Sequence, residues 1–164
     1  MQYLNQNSNS VPYRTREYRP LADCQLVTAV NAYTYLYKKS ISQNGDFYVN
    51  LRILTRCIAG SCICIEKAWK KLGITEDKRF KVEELDKFLK PNCFIEAIVW
   101  HKHYGFHSTS IIDYVKKAQI VKMTNFRYAT SSDNWIFLED LKKYLHWNID
   151  KSSPRYCFRT YRRS

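Results

Sequence analysis

The chain has 164 residues, of which 45% are hydrophobic and 15% aromatic, with only four glycines and four prolines. That size and composition are typical of one folded domain with a sizeable core, and they exclude a disordered or fibrous chain. Lysine and arginine outnumber aspartate and glutamate, which gives a net charge of +12. Such a charge predicts a positive surface that attracts polyanions such as nucleic acid, although a basic surface also serves solubility alone.

The sequence carries no sign of membrane insertion or of export. It has no run of about 18 apolar residues, and its first residues, MQYLNQNSNSVPYR, lack the apolar segment of a signal peptide. We therefore expect a protein that stays off the membrane and is not conventionally secreted. The lysine-, asparagine- and isoleucine-rich composition suggests the cytoplasm or the inside of a virus or phage particle. The six cysteines are then expected to be reduced thiols.

Residues 1–19 are polar and then rich in arginine and tyrosine, without a helical or strand period. They predict a basic arm that precedes a folded domain at residues 20–164. The end of the chain, RTYRRS, also interleaves arginine with tyrosine, a combination that holds phosphates and stacks on bases. The candidate contacts to nucleic acid or to an acidic protein partner are Arg14, Arg16, Arg19, Arg159, Arg162 and Arg163. The alternative for all six is a solvated basic surface.

The first half of the chain has a helical period. Apolar residues from Leu26 to Tyr37 recur every three and four residues, and Asp23 is a good N-cap, which places Cys24 in the first turn of a helix. Three more helices are predicted, at about Asp46–Ile58, from a cap at Ser61 to a stop at Gly73, and over residues 82–89.

The second half has the short β-branched and aromatic runs of strands. These runs are CFIEAIVW (93–100), HSTSIIDYV (107–115) and QIVKMTNF (119–126), and the last two predict a hairpin around Lys116-Lys117-Ala118. FLEDLKKYLHW, from Phe137, predicts a helix, and RYCFRTYRR predicts an edge strand that closes the sheet. Helices followed by strands predict an α+β domain with an antiparallel sheet.

Cys24 and His107 are candidates for nucleophilic chemistry. A thiol in the first turn of a helix feels the partial positive charge of unpaired backbone N–H groups, which favours the thiolate. A neighbouring imidazole completes the activation, and a third polar group fixes the orientation of the imidazole. His107 opens one predicted strand and Asn125 ends the next, so a hairpin brings them to the same end. Taken alone, Cys24 is more simply a buried apolar thiol, and His107 a surface or core histidine.

Four stretches of the chain resemble segments of a known enzyme family. They are ADCQLVTAVNAYTYL, GSCICIEKAWKKLGI, VEELDKFLKPNCFIEAIVW and GFHSTSIIDYVKKAQIVKMTNF. Their order resembles the bacteriocin-processing, double-glycine-leader branch of the papain-like cysteine peptidases. In that branch an Asp-Cys pair starts the core helix, a helix ending in Leu-Gly follows, a strand precedes a Gly-x-His segment, and an Asp or Asn lies on the next strand. The resemblance implies a papain-like fold, with N-terminal helices packed on a C-terminal antiparallel sheet.

The resemblance also implies roles for three residues. Cys24 would be the nucleophile, His107 the general base and then acid, and Asn125 the residue that orients the imidazole. The implied reaction is hydrolysis of a peptide or isopeptide bond in a polypeptide substrate through a thioester acyl-enzyme, with no cofactor.

The oxyanion site departs from the family pattern. The family commonly has a glutamine a few residues before the nucleophile, whose amide donates to the oxyanion, but here that stretch reads Glu17-Tyr18-Arg19-Pro20-Leu21. Losing one such donor costs about 100- to 1000-fold in rate. Tyr18, Arg19 and Gln25 are candidate substitutes, although Gln25 points in a different direction along the helix from the family's donor.

Two functions from different classes therefore remain open. The first is a papain-like cysteine protease. The second is a catalytically degraded papain-like domain that serves as a structural or nucleic-acid-facing component of a viral or phage assembly, which the basic ends and the missing glutamine favour. A metal site is not predicted, because the His101–His103 pair has no carboxylate or thiol at ligand spacing beside it.

Overall fold

The computed structural model describes residues 3–4, 24–39, 45–55, 57–58, 61–62, 64–101, 105–126, 134–145 and 158–164. The helices are α1 (Cys24–Tyr37), α2 (Gly45–Thr55), α3 (Ile65–Lys71), α4 (Leu85–Phe88) and α5 (Leu138–Leu145), and a 3-10 turn, Val82–Glu84, precedes α4. The strands are β1 (Cys57–Ile58), β2 (Ser61–Cys62), β3 (Ile74–Phe80), β4 (Phe94–His101), β5 (Gly105–Val115), β6 (Ile120–Thr124), β7 (Trp135–Phe137) and β8 (Phe158–Arg163).

Six of these strands form one antiparallel sheet in the order β3-β8-β4-β5-β6-β7. The predicted strands β4, β5 and β6 lie side by side near its middle, and the predicted hairpin pairs Val115 with Ile120. The helices pack on this sheet, so the predicted α+β class is confirmed. None of the helices in the described ranges is long and apolar enough to cross a membrane.

The order of the sheet corrects the prediction for the C-terminal strand. β8 was expected at an edge, but it lies between β3 and β4, and β3 is the edge strand. The sequence predicts no strand at β3, because the five residues between Ile74 and Phe80 are all polar. In the structure those five residues are exposed and only the two ends are buried. Four of the five are charged, which suits an edge strand because charges discourage pairing with another chain.

The second and third helices are shorter than the sequence predicts. α2 ends at Thr55, and α3 begins at Ile65, four residues after the expected cap at Ser61. Between them lie the strands β1 and β2, in which Cys57 pairs with Cys62. The Ala59-Gly60 pair, which suggests the end of one helix and the start of the next, lies outside the described residues.

The alternation of side chains along the strands divides the core in two. One face packs against α1, α2 and α3, and its largest members from the sheet are Phe94 and Tyr161. The other face packs against α4 and α5, with Ile95, Ala97 and Ile111 against the leucines of those helices. α1 is the central helix of the first layer, since ten of its fourteen residues are buried.

Leu4, near the start of the chain, belongs to the first of these cores. Its side chain is buried, its N–H donates to Oδ1 of Asn31 at 2.7 Å, and its carbonyl accepts from Nδ2 of Asn31 at 2.9 Å. The predicted basic arm therefore contributes a residue to the domain. Residues 5–20 of the chain, with Tyr18 and three of the candidate arginines, lie outside the described residues, as does the expected cap at Asp23.

Gly73 joins α3 to β3 in the left-handed conformation, with φ of 69°. Its carbonyl accepts from the Tyr37 hydroxyl at 2.6 Å, and the Arg163 guanidinium lies 4.5 Å from the ring of Tyr37. Arg163 also donates from Nε and Nη2 to the carbonyl of Leu36, at 3.0 and 2.7 Å. This junction ties the end of α1 to α3 and to the C-terminal strand.

We expect Gly73→Ala to lower the free energy of unfolding by about 2 kcal/mol, from the left-handed backbone and the weakened hydrogen bond together. A Cβ at this position would lie 2.7 Å from the Tyr37 hydroxyl. Denaturant unfolding measures the change, and Lys71→Ala, an exposed change in the preceding helix, is the control, with an expected effect within about 0.5 kcal/mol. Equal effects of the two substitutions would contradict this account of the junction.

Candidate active site

Cys24 is the first residue of α1, and its side chain is half-buried. It is a free thiol. Because the first backbone N–H groups of a helix have no acceptor within the helix, a thiol here lies in a locally positive field. The position favours the thiolate form that nucleophilic chemistry requires.

Hydrogen bonds fix how α1 lies on the sheet. Ser108 Oγ of β5 lies 2.9 Å from Thr28 Oγ1, and one turn further along the helix Asn31 Nδ2 donates to Thr124 Oγ1 at 3.3 Å. Thr124 of β6 is the register partner of Ser110, so the contact point on the sheet advances from Ser108 to Ser110 as the helix advances. α1 and β5 therefore run in the same direction.

This alignment brings the starts of α1 and β5 together. Cys24, Thr28 and Asn31 follow one another at four and three residues, so they share the helix side that contacts the sheet. Cys24 lies four residues, about 6 Å, before Thr28 along α1. His107 lies one residue, about 3.3 Å, before Ser108 along β5. The positions of Cys24 and His107 along these two packed elements therefore differ by about 3 Å.

His107 contacts the strand next to its own. Its side chain leaves β5 on the face opposite to Ser108, and Nε2 lies 2.6 Å from the backbone oxygen of Asn125. Since a carbonyl oxygen only accepts, Nε2 carries the proton of the neutral ring, and Nδ1 is left as the basic nitrogen. Burial lowers the pKa of His107, and the hydrogen bond to Asn125 opposes this in part. The environment therefore favours a neutral imidazole with a defined tautomer.

Asn125 follows β6 directly and is 4% exposed. Its φ of 55° is in the left-handed region, which asparagine tolerates better than most residues. The contact to the His107 ring is made by the main chain, while Nδ2 points to the carbonyl of Ser108 at 3.5 Å. The sequence draws attention to this residue for its side chain, whereas the atom beside the imidazole is its backbone oxygen.

The candidate oxyanion donors are placed only in part. Gln25 is the second residue of α1 and is half-buried. About 100° of helical rotation separates it from Cys24, so the two side chains leave α1 on different sides. Tyr18 and Arg19 lie outside the described residues. The role of each in holding an oxyanion stays a prediction.

The three C-terminal arginines have different surroundings. Arg159 is half-buried near the start of β8, and Arg162 is exposed. Arg163 is exposed as well, but its guanidinium is bound to the end of α1 as described above. Contact with nucleic acid or with an acidic partner stays a prediction for all three, and Arg14, Arg16 and Arg19 lie outside the described residues.

A buried acid that the sequence analysis does not single out lies behind this site. Glu96, in β4, is 3% exposed and contacts Ser108, the neighbour of His107. A glutamate inside the apolar run CFIEAIVW is the signal that points to it, because a central strand buries both faces.

Metal ligands do not gather in the part of the chain that the structure describes, where no three histidine, cysteine, aspartate or glutamate side chains are arranged to hold an ion. His101 ends β4, and His103 lies outside the described residues.

Comparison with known proteins identifies the fold. No family model matches the sequence, and no curated protein matches it. Among solved structures, the chain is similar to the peptidase domain of Streptococcus ComA, a bi-functional ABC transporter involved in a quorum-sensing pathway, with a TM-score of 0.57 and 14% identity. The match covers 94% of this chain and 97% of that one, so it spans helices and sheet together. The predicted papain-like α+β fold, and the resemblance to the bacteriocin-processing peptidases at the level of the fold, are thereby confirmed.

Proposed function

We propose that this protein is a cysteine peptidase that hydrolyses a peptide bond of a polypeptide through a thioester to Cys24. The observation that carries the proposal is the alignment of α1 with β5, which sets a thiol at a helix start close to the level of His107. The fold shared with a peptidase domain supports it. The proposal requires the ring of His107, which leaves β5 on the face opposite to Ser108, to reach the thiol of Cys24.

The reaction proceeds in two halves. Nδ1 of His107 takes the proton of the Cys24 thiol, and the thiolate sulfur attacks the carbonyl carbon of the scissile bond. The tetrahedral intermediate collapses as the imidazolium returns its proton to the departing amine nitrogen, leaving a thioester. Water, losing a proton to Nδ1, then attacks the thioester carbonyl, and the sulfur leaves and recovers its proton. The net reaction is peptide plus water to carboxylic acid plus amine, and it requires no cofactor.

The backbone carbonyl of Asn125 is the positioning group in this scheme. It holds Nε2–H at 2.6 Å, which keeps Nδ1 unprotonated and turned away from β6. The arrangement gives the imidazole the tautomer that accepts a proton from a thiol. Backbone atoms of residue 125 therefore take over the role that the resemblance gives to its side chain.

The oxyanion of the tetrahedral intermediate requires hydrogen-bond donors. The backbone N–H of Cys24 is one, because it belongs to the first turn of α1 and has no acceptor inside the helix. Gln25 and Tyr18 are the proposed side-chain donors in place of the missing upstream glutamine.

The alternative is a catalytically inactive domain that binds a polyanion or an acidic partner within a larger assembly. The net charge of +12 and the exposed Arg162 favour it. The two functions differ in whether the thiol of Cys24 is required for any chemistry.

One experiment separates the two. We expect the wild-type protein to cleave members of a peptide mixture prepared from a digested proteome, with new termini identified by mass spectrometry. Cys24→Ala should remove every such cleavage, since a methyl group cannot form the acyl-enzyme. The control is Cys93→Ala, which removes a different half-buried thiol and should cleave as the wild type does. An identical pattern of termini for wild type and Cys24→Ala would leave only the inactive assembly domain.

A further inference from the structure

Glu96 lies at the centre of the main sheet, under α1. Its register partners are Ser110 of β5 and Arg159 of β8, and its carboxyl group is on the helix-facing side of β4. A buried acid at this depth costs free energy unless every oxygen is bound. Its contacts are therefore the place to look for a role.

Both carboxyl oxygens of Glu96 have hydroxyl partners. The Tyr161 hydroxyl donates to Oε1 at 2.9 Å, and Ser108 Oγ lies 2.5 Å from Oε2. Ser108 Oγ also lies 2.9 Å from Thr28 Oγ1 of α1. A continuous path of hydrogen bonds thus runs from β8 through β4 and β5 to the helix.

Burial, hydrogen bonds and nearby charges all act on the carboxyl group of Glu96. Burial, the largest effect, raises the pKa of Glu96, and Glu76 of β3 adds to it, while Ser108, Arg159 and Tyr161 oppose it. Burial likewise raises the pKa of Tyr161, which keeps its proton. α1 contains no charged residue, and His107 leaves β5 on the opposite face. The Ser108 hydroxyl donates to Oε2 of Glu96 and also lies beside Thr28 Oγ1, so it joins the buried acid to α1.

The two ends of the path flank the proposed catalytic pair. Ser108 is the residue after His107, and Thr28 is one helical turn after Cys24. Loss of the carboxyl group would leave Ser108 with one partner and loosen the contact between the strand that carries the base and the helix that carries the nucleophile.

We propose that Glu96 is a positioning residue for the Cys24–His107 pair, whose hydrogen bond with Ser108 sets β5 against the first turns of α1. The inference rests on the proposed function. It adds a residue that touches neither the substrate nor the reacting atoms.

The test measures the rate at which iodoacetamide alkylates Cys24, read on its own peptide by mass spectrometry, between about pH 5 and pH 9 in the intact protein. The variants are Glu96→Leu, Glu96→Gln and Ser108→Ala, with His107→Ala in parallel. The control is Thr160→Val, which removes a buried hydroxyl that bonds Lys78 of β3 and lies in the adjoining strand. Thermal unfolding of each variant is recorded beside the rate.

We expect Glu96→Leu and Ser108→Ala to slow alkylation at pH 7 about 10- to 100-fold, since a misplacement of about 1 Å between reacting groups has an effect of that order. Glu96→Gln keeps a polar group of the same shape that can bond both Ser108 and Tyr161, so its rate should stay within about twofold of wild type. Thr160→Val should lower the melting temperature and leave the pH profile of alkylation unchanged.

Two outcomes would overturn the inference. One is a wild-type profile for both Glu96→Leu and Ser108→Ala, whatever their melting temperatures. The other is a Glu96→Gln variant as slow as Glu96→Leu, which would show that a hydrogen bond to Ser108 does not account for the effect. Should His107→Ala slow alkylation while the Glu96 and Ser108 variants do not, only the positioning role fails. Should His107→Ala also react as the wild type, the proposed function fails with it. Ser108→Ala keeps the test decisive if Glu96→Leu does not fold.

Discussion

Replacing His107 with alanine is expected to lower the rate of peptide cleavage by about 100- to 10,000-fold, the usual contribution of a positioned acid and base. The substitution removes the nitrogen that takes the thiol proton and later protonates the amine. The helix start at Cys24 and the oxyanion donors stay in place, so a residual rate should remain. Cleavage of the peptides identified with the wild type, at matched protein concentration, measures the loss.

Asn125→Gly is the matched variant for this prediction. It keeps the backbone oxygen that lies 2.6 Å from Nε2 of His107, and glycine adopts a φ of 55° without strain. Its cleavage rate should therefore stay near that of the wild type, although the amide of Asn125 is gone. A loss as large as that of His107→Ala would show that the side chain orients the imidazole, and would contradict the role we give to the carbonyl. Circular dichroism of both variants verifies that they are folded.

Local patterns were sufficient to predict the elements that carry the site. The helical period from Leu26 to Tyr37 predicts α1, and the β-branched run after His107 predicts the β5–β6 hairpin, because both depend on residues near in sequence. Neither pattern predicts where α1 lies on the sheet. That position is fixed by Thr28 with Ser108 and Asn31 with Thr124, contacts between residues about 80 to 90 positions apart.

The outer part of the sheet was harder to predict for the same reason. β3 has the composition of an exposed loop between Ile74 and Phe80, and its strand conformation depends on pairing with β8, which follows it by some eighty residues. A pairing of this kind fills an inner position with a C-terminal strand whose arginines suggest an edge. No periodicity within either segment predicts this pairing of β3 with β8.

In the site, the sequence predicts which residues take part but not which of their atoms come into contact. Sequence reasoning selects Cys24, His107 and Asn125 by residue type, and the structure brings the latter two together through a main-chain oxygen that any residue would supply. What is particular to asparagine at position 125 is its tolerance of the left-handed backbone. Glu96 is visible in the sequence as an acid in an apolar strand, but its link to Ser108 depends on the register of β4 with β5.

The reactivity of Cys24 as a function of pH tests the central claim most directly, because it requires no knowledge of the substrate. An ordinary thiol has a pKa near 8.5, so at pH 6 only about 0.3% of it is thiolate. A helix start stabilises the thiolate, and a neutral His107 takes the thiol proton, so both raise the fraction of Cys24 that reacts at that pH. Cys64 and Cys93 are half-buried free thiols of the same protein, and burial raises the pKa of Cys93.

We would measure the alkylation rates of the three cysteines between about pH 5 and pH 9, in wild type and in His107→Ala. The account predicts that Cys24 reacts at least about tenfold faster than Cys64 and Cys93 at pH 6. In His107→Ala its rate should fall at pH 6 and rise with pH as for an ordinary thiol. Equal rates for the three cysteines at pH 6, unchanged by His107→Ala, would contradict the assignment of Cys24 and His107 as nucleophile and base.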